Sequence, residues 1–488
     1  MRIILNDVYM LRPDDGKAIL MTRDIVRAKE NERYECVIHP IHAMILSFCN
    51  GNTMDTTVTD ISNFLKVSKE KIENFLCSIL DNNSKVVHKL DGANIVFPPR
   101  TIIQTDSYKK PEWSPEDFKY DYVRLKLERR KMVSDITLML NNNCMTDCIY
   151  CYANKTKHVD KKISIDVIMK VIEEAKTLKL RSFDIIGGDI FIDSNWKIVV
   201  SKLYENGFAP YLSTKVPLTL NDIAFLHEIN VKDIQISLDT LIADNLCQIV
   251  KMNMNYYNLI KQTIRDLNKF GITTTIHSII CSKNDTIEDM VSIYEFIKDL
   301  EHVKKWRIDY ANYSLYKTKE EFNSYRTQLE KLNNIYTYLK KLDCKNMEIM
   351  CGGINKETWK NKRPDPNFLT KNRGLCTANY NSLFILPDGN VTICEQLYWN
   401  KNFIVGNVIE QSIAEIWNSE KAKNLYNIKQ EFISKRSACS MCNQFDYCRK
   451  ENGGVCWKEI IAVYGEDNWD FPDPRCPKAP KLINNVYI

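Results

Sequence analysis

Three cysteines share one short stretch of this 488-residue chain. Cys144, Cys148 and Cys151 follow the spacing C-x3-C-x2-C. The chain has 17 cysteines, and this spacing is expected by chance only about 0.02 times. A structural zinc site or a fully protein-ligated 4Fe–4S cluster needs four ligands. Three thiolates on one loop therefore suit a 4Fe–4S cluster that leaves one iron free to bind a small molecule.

The neighbouring segments place this loop at the end of a strand. An apolar run at 136–140 predicts a strand that leads into the loop, and apolar residues at helical spacing over 163–175 predict a helix after it. Barrel enzymes carry their chemistry on loops of this kind. Short apolar runs continue to alternate with amphipathic segments, which favours repeated βα units and a parallel sheet. The six predicted strands are 136–140, 183–186, 210–213, 233–238, 273–280 and 305–310.

Composition narrows the function classes. The chain is 44% hydrophobic and 26% charged, as in a soluble globular protein of several domains. Its net charge of +5 is small for this length and does not favour a nucleic-acid partner. No run approaches the roughly 18 apolar residues of a membrane span, and the first residues lack a signal-peptide core. We therefore expect a cytoplasmic protein without a membrane partner, in which clustered cysteines bind metal.

The cysteine loop and its βα setting resemble those of the radical S-adenosylmethionine (SAM) enzymes. The resemblance implies a partial (β/α)6 TIM-like barrel over 130–335, in which Cys144, Cys148 and Cys151 hold the SAM-binding cluster. It implies that the ring of Tyr150 packs on adenine. The remaining implied SAM contacts are Gly187, Gly188, Asp189, Ser213, Lys215, Ser237, Asp239 and Arg307.

Within that set, Gly187-Gly188-Asp189 takes the place of the family's Gly-Gly-Glu-Pro. Two glycines let the backbone approach a ligand closely, here the SAM ammonium. Because Asp189 and Ile190 depart from Glu-Pro, we expect a backbone role at Asp189 and no side-chain role. The polar residues at the ends of the third and fourth strands resemble positions that bind the methionine carboxylate or the ribose, and Arg307 is suited to pair with a carboxylate.

The region 336–488 resembles the SPASM domain, which carries auxiliary clusters. It contains C-x12-G-x4-C beginning at Cys376 and C-x2-C-x5-C beginning at Cys439. The resemblance implies two further 4Fe–4S clusters, three in all. One would be held by Cys376, Cys394 and Cys456, with Cys351, Cys344 or no protein group as fourth ligand; the other would be held by Cys439, Cys442, Cys448 and Cys476.

This array departs from the family spacing at one position and is also compatible with a second metal. Seven residues separate Cys448 from Cys456, where the family usually has three, so Cys456 fits the pattern least. Zinc is the rival metal, since C-x2-C with two more cysteines also suits a tetrahedral zinc site.

Residues 1–100 predict short strands, three helices and a hairpin that turns at Asp91–Gly92, which is a winged-helix-like α+β pattern. Winged helices often bind DNA, but this segment is not notably basic. It resembles the RiPP recognition element of peptide-modifying radical SAM enzymes, in which a leader peptide adds a strand to a three-stranded sheet. The stretch from Pro98-Pro99 to about Pro115 is polar and proline-rich, which predicts a linker, assigned to residues 101–129.

Together these features resemble a RiPP maturase of the sactisynthase or ranthipeptide-synthase kind. The resemblance implies that a flavodoxin or ferredoxin supplies an electron, that SAM is cleaved to a 5′-deoxyadenosyl radical, and that a precursor peptide is cross-linked. A cysteine thioether is the first expectation, and a carbon–carbon or ether bond is the second. The alternatives are a formylglycine-generating sulfatase maturase and a DNA-binding iron–sulfur sensor. Residues 1–100 argue against the former, and the SAM motifs against the latter.

Overall fold

The computed structural model describes residues 1–90, 92–154, 159, 162–342, 344, 346–353, 368–369, 376–451, 454–481 and 483. The chain divides into two compact units, Met1–Ser134 and Asp135–Ile488. Among the described residues, no helix combines the length and the apolar character needed to cross a bilayer.

The first unit is a mixed α+β structure. Its strands are β1 (Arg2–Leu5), β2 (Tyr9–Asp14), β3 (Lys17–Thr22), β4 (Glu35–Ile38), β5 (Asn50–Thr53), β6 (Val86–Leu90), β7 (Ala93–Phe97) and β8 (Ile102–Gln104). Its helices are α1 (Pro40–Ser47), α2 (Met54–Leu65) and α3 (Lys69–Ile79). The strands form three sheets, ordered β5-β1-β8, β2-β3-β4 and β6-β7.

These elements reproduce the expected winged-helix-like pattern of a three-stranded sheet, three helices and a hairpin. Strands β6 and β7 pair with Leu90 opposite Ala93, so two residues connect them. Gly92 has φ of 78°, which only glycine adopts readily. Asp91, the other predicted turn residue, lies outside the described residues.

Residues 101–129 were expected to form a linker, but in the structure they are part of a compact unit. These residues belong to the first unit, where β8 pairs with β1. The Phe118 side chain is buried in the core of the same unit, and Trp113 and Leu125 pack against that core. The proline and polar residues correctly predicted irregular backbone. They did not indicate that Trp113, Phe118 and Leu125, which have no regular spacing, pack into the core.

The second unit contains the repeated βα pattern. Its strands are β9 (Asp135–Met139), β10 (Ser182–Ile186), β11 (Leu212–Thr214), β12 (Asp233–Ser237), β13 (Thr273–Ile280), β14 (Val303–Tyr310), β15 (Glu348–Cys351), β16 (Ser382–Ile385), β17 (Asn390–Thr392) and β18 (Ile404–Asn407). Its helices are α4 (Ile165–Thr177), α5 (Trp196–Glu205), α6 (Leu220–Glu228), α7 (Ala243–Val250), α8 (Met254–Lys269), α9 (Ile287–Ile297), α10 (Lys319–Tyr325), α11 (Leu329–Leu339), α12 (Ile413–Asn418), α13 (Glu420–Tyr426) and α14 (Trp457–Tyr464).

All six predicted strands form, as β9 to β14. Strands β11 to β15 make one parallel sheet in chain order, and β10-β9-β16-β17-β18 make a second sheet. Side chains join the two sheets, since Asp184 of β10 accepts a hydrogen bond from the backbone N–H of Tyr211, just before β11, at 2.9 Å. The carboxyl ends of these strands lie along one edge, where residues after each strand can meet.

Strands β15 to β18 of the second unit were not predicted from the sequence. Strand β15 pairs in parallel with β14, and β16 pairs in parallel with β9. Both lie in the region 336–488 that resembled a separate cysteine-rich domain. Short strands of three or four residues give too little periodicity to be recognised before their partners are known.

Replacing Phe118 tests whether 101–134 belongs to the first unit. Phe118→Ala should destabilise that unit by about 3–5 kcal/mol, because it removes a buried ring. Hydrogen exchange of the β2-β3-β4 amides in the whole protein would measure this loss. Tyr108→Ala is the control, since Tyr108 is 65% exposed and its replacement should cost less than about 0.5 kcal/mol. Equal exchange in the two variants would mean that 101–129 is a linker after all.

Candidate functional site

The cysteine loop follows β9 and is fixed at both its ends. Cys144 Sγ and Cys148 Sγ lie 3.3 Å and 3.4 Å from the hydroxyl of Thr146. The Cys148 side chain is buried, and this burial raises the pKa of its thiol. The Cys151 amide donates to the carbonyl of Cys148 at 3.1 Å. Three thiols on one tight loop fit a cluster that takes three protein ligands.

Gly188 is required by the cysteine loop itself. A Cβ at this position would lie 1.9 Å from the carbonyl oxygen of Asn143, and no side chain fits in that space. The Gly188 amide donates to Asn141 at 2.9 Å, and the Asp189 amide donates to Asn143 at 2.8 Å. The sequence prediction attributed both glycines to close approach of a ligand, whereas at Gly188 the close approach is to the chain before Cys144.

The Asp189 side chain makes hydrogen bonds within the protein that the sequence analysis did not predict. Its carboxylate is buried and accepts hydrogen bonds from the Thr214 hydroxyl at 2.7 Å and the Lys215 amide at 2.9 Å. It also accepts from the Phe191 amide at 3.0 Å. The side chain therefore joins the end of β10 to the end of β11. A shorter carboxylate than the family's glutamate suits this contact with the neighbouring strand.

Tyr150, Lys215 and Asp239 form a buried trio beside the loop. Lys215 Nζ donates to Tyr150 Oη and to Asp239 Oδ2, each at 2.7 Å, and Tyr150 Oη donates to the same Oδ2 at 2.7 Å. Burial alone lowers the pKa of Lys215, but the Asp239 carboxylate outweighs it and the pKa is raised. The lysine is therefore held charged between a loop residue and a strand-end carboxylate.

A second polar group centres on Gln235, which the sequence analysis missed. Its amide nitrogen lies 2.7 Å from Ser213 Oγ and 3.4 Å from Ser237 Oγ. Its amide oxygen accepts from the Tyr211 hydroxyl at 2.8 Å. The two predicted serines are thus brought together through Gln235. One feature of the sequence could have indicated it: Gln235 is a polar residue between two isoleucines, Ile234 and Ile236.

Arg307 lies in a row that crosses the parallel sheet. Ser237, His277 and Arg307 are register partners on β12, β13 and β14. Arg307 Nε lies 2.7 Å from Asp309 Oδ2, and His277 Nε2 lies 2.9 Å from the same oxygen. Burial raises the pKa of Asp309, but the His277 hydrogen bond and the Arg307 charge lower it overall. The expected carboxylate partner of Arg307 is thus an internal one, and the arginine remains 53% exposed.

The C-terminal cysteines lie in two groups. Burial raises the pKa of Cys394 to about 12, and nearby Cys376 and Cys456 add to the increase. Burial also raises the pKa of Cys476, with contributions from the thiols close to it. The first group therefore contains Cys376, Cys394 and Cys456, and the second contains Cys439, Cys442, Cys448 and Cys476.

The two candidate fourth ligands have described neighbours of their own. Cys351 is on β15 opposite Ile308, and its thiol interacts with Lys340 and Asp309. Cys344 interacts with Tyr294.

An open pocket adjoins the first group. Cys376 lines it, together with Ile393, Val455 and Trp457, which are chain neighbours of Cys394 and Cys456. The pocket therefore lies beside one thiol of this group.

Comparison with known proteins agrees with this arrangement. Residues 138–297 match the Radical SAM superfamily, and residues 376–443 match SPASM, an iron–sulfur cluster-binding domain. The chain therefore contains a radical SAM domain at 138–297 and a SPASM domain at 376–443. These two domains imply 4Fe–4S clusters and SAM as cofactors. The strands β9 to β14 are accordingly the partial barrel of the radical SAM domain, and the first cysteine group begins at the start of the SPASM domain.

Individual relatives are distant in sequence. The sporulation killing factor maturation protein SkfB of Bacillus subtilis (strain 168) is 22% identical over 289 residues, which are 57% of this chain and 63% of SkfB. The match therefore spans less than two thirds of that relative. The structures of Streptococcus suis SuiB bound to SAM and bound to the precursor peptide SuiA each align with a TM-score of 0.63 at 14% identity. Each alignment covers 97% of this chain and all of SuiB, and it shows a shared fold.

Replacing Lys215 tests the buried trio. Lys215→Met should cost about 3–5 kcal/mol of unfolding free energy, because it leaves the fully buried Asp239 carboxylate without a counter-charge. The double variant Lys215→Met/Asp239→Asn should recover part of this loss. Denaturation of the anaerobically reconstituted protein would measure both. Lys197→Met is the control, since the Lys197–Asp222 pair is at the surface and should contribute no more than about 1 kcal/mol. A cost for Lys215→Met as small as the control's would contradict the argument.

Proposed function

We propose that this protein is a radical SAM enzyme that installs an intramolecular cross-link in a ribosomally made precursor peptide, with a cysteine thioether as the first choice of bond. The observation that supports it most is the three-thiol loop at the strand ends, fixed by Gly188 and flanked by the Tyr150–Lys215–Asp239 trio. SkfB is described as a maturation protein, and SuiB has been crystallised with a precursor peptide. Both support a peptide substrate here.

The loop cysteines Cys144, Cys148 and Cys151 would hold the SAM-binding cluster. When bound, SAM and its cluster supply a one-electron reductive cleavage that yields methionine and a hydrogen-abstracting 5′-deoxyadenosyl radical. The trio includes Tyr150 of this loop, and the Gln235 group and Arg307 lie on strands of the same parallel sheet as the end of β11. Lys215 is held by Asp239, so Arg307, which is 53% exposed, is the cation suited to the SAM carboxylate. Ser213 and Ser237 carry hydroxyls suited to that carboxylate or to the ribose.

Forming a thioether removes a hydrogen atom, a proton and an electron from the peptide. The acceptor carbon loses one hydrogen atom, the cysteine sulfur loses its proton, and one electron leaves as the carbon–sulfur bond forms. The two C-terminal cysteine groups would hold auxiliary 4Fe–4S clusters that accept this electron, which makes three clusters in the chain. A flavodoxin or ferredoxin would supply the initiating electron in the cytoplasm, and neither nucleic acid nor membrane is a partner.

The leader peptide would bind at the edge of β4. Among the described strands, β4 pairs with β3 alone. The Thr22 amide donates to the Tyr34 carbonyl at 2.9 Å, and pairs alternate along an antiparallel ladder. The backbone groups of Glu35 and Val37 therefore face the open edge. Main-chain hydrogen bonds to such an edge are the usual basis of strand addition.

SAM cleavage tests the cluster assignment. Reconstituted protein given SAM and dithionite should release 5′-deoxyadenosine, and Cys144→Ala, Cys148→Ala and Cys151→Ala should each abolish that release. Cys77→Ala is the matched control, because Cys77 is exposed on α3. Iron should be about twelve atoms per chain, falling by about four in the triple variant. Wild-type protein that makes no 5′-deoxyadenosine would refute the enzyme, and about four irons would refute the auxiliary clusters.

Leader binding tests the β4 edge. Val37→Pro should weaken binding of the full precursor peptide by at least about tenfold, since it removes an outward N–H. Val37→Ala keeps that N–H and should stay within about twofold. Fluorescence anisotropy of labelled peptide would measure both. Equal affinities in the two variants would place the leader elsewhere.

A further inference from the structure

Arg449 is a buried arginine near the second cysteine group. It is 8% exposed, and its guanidinium carbon lies 5.0 Å from the Trp457 ring centroid and 5.7 Å from that of Phe445. Within the described part of the chain, Arg449 forms no ion pair with a carboxylate, and its Nη1 has no hydrogen-bond partner. Because a buried guanidinium is costly without compensating negative charge, this position calls for an anionic neighbour.

The guanidinium lies between the two cysteine groups. Its Nη2 is 3.6 Å from Cys439 Sγ and 3.4 Å from the carbonyl oxygen of Phe471. The same side chain lines the open pocket beside Cys376. The cation therefore contacts a ligand of one proposed auxiliary cluster and shares a pocket with a ligand of the other.

Its backbone setting is also unusual. Arg449 lies in the π-helical turn Tyr447–Glu451, directly after Cys448. Such wide turns occur mostly as single turns, and frequently at functional sites. The turn presents Cys448 and Arg449 from adjacent positions, so the cation and a ligand thiol are fixed by the same few residues.

We infer that Arg449 is a positioning residue shared by the two auxiliary clusters, and that its charge raises the reduction potential of the cluster beside Cys439. This inference rests on the proposed clusters. A 4Fe–4S cluster with thiolate ligands carries negative charge that increases on reduction, so a nearby cation and hydrogen bonds to sulfur favour the reduced state. Burial keeps this interaction from being screened by solvent.

Lys478 provides an internal comparison. Its Nζ lies 3.4 Å from Cys442 Sγ, but this contact is exposed. Solvent and salt screen an exposed charge much more than a buried one. Lys478 should therefore affect the same cluster less than Arg449 does, although its distance to a ligand sulfur is similar.

The experiment uses the full chain with Cys144, Cys148 and Cys151 replaced by alanine, so that only the auxiliary clusters contribute. Arg449→Gln, Arg449→Lys and Lys478→Gln are compared by iron and sulfide content and by redox titration followed by electron paramagnetic resonance. In Arg449→Gln the ratio of reduced to oxidised cluster at a fixed potential should fall at least tenfold, which is about 59 mV for one electron. Arg449→Lys should restore most of the ratio, and Lys478→Gln should lower it less than about threefold.

Arg436→Gln is the matched control, because Arg436 is an exposed arginine that donates to the Asp467 carbonyl; it should leave the ratio unchanged. Loss of iron in Arg449→Gln alone, with wild-type behaviour in Arg449→Lys, would support a role for the charge. Loss in both variants, or an unchanged ratio in Arg449→Gln with full iron, would overturn the inference and leave the clusters standing. Fewer than about eight irons before any change at Arg449 would overturn the proposed clusters as well.

Discussion

The buried carboxylate of Asp239 determines how the strand ends of the radical SAM domain come together. It is fully excluded from solvent and accepts hydrogen bonds from Tyr150, Lys215 and the Ile279 amide. These partners come from the cysteine loop, the end of β11 and the carboxyl end of β13. A buried charge must be paired and hydrogen-bonded to be tolerated, so this one group imposes a fixed arrangement on three separate segments.

The cysteine loop is held by a steric constraint of a different kind. The backbone of Gly188 packs against the carbonyl of Asn143 so closely that no Cβ can be accommodated. The Asp189 side chain then ties the same turn to β11. Polar contacts between neighbouring strand ends and one tight backbone contact therefore place the three thiols. A reaction carried out by a cofactor requires the protein to position the reacting groups in this way.

The C-terminal region has a different basis for its order. One of its apolar clusters is small: it is built on Ile428, Ile433 and Phe445, and Cys439 and Cys442 pack against it. Such a small cluster usually depends on metal or cross-links for its order. The two cysteine groups and the buried Arg449 are thus coupled, because the same residues that would ligate metal also complete the packing.

Much of the architecture could be predicted from the sequence. The period of apolar residues located all six strands of the barrel, and the C-x3-C-x2-C spacing located the loop, since both signals depend on residues close together in the chain. The sequence also placed Tyr150 in the cysteine loop and Lys215 and Asp239 at strand ends. It did not show that these three side chains form one hydrogen-bonded cluster, because 89 residues separate Tyr150 from Asp239.

The contacts between distant segments were determined only by the tertiary structure. The edge strands β15 and β16, the burial of Phe118, the side-chain role of Asp189 and the position of Arg449 between two cysteine groups leave no periodic or local signal. Cysteine spacing determines how many thiols one loop can offer. Which thiols and charges meet is determined by how the sheets pack, and that depends on residues far apart in the chain that exclude water together.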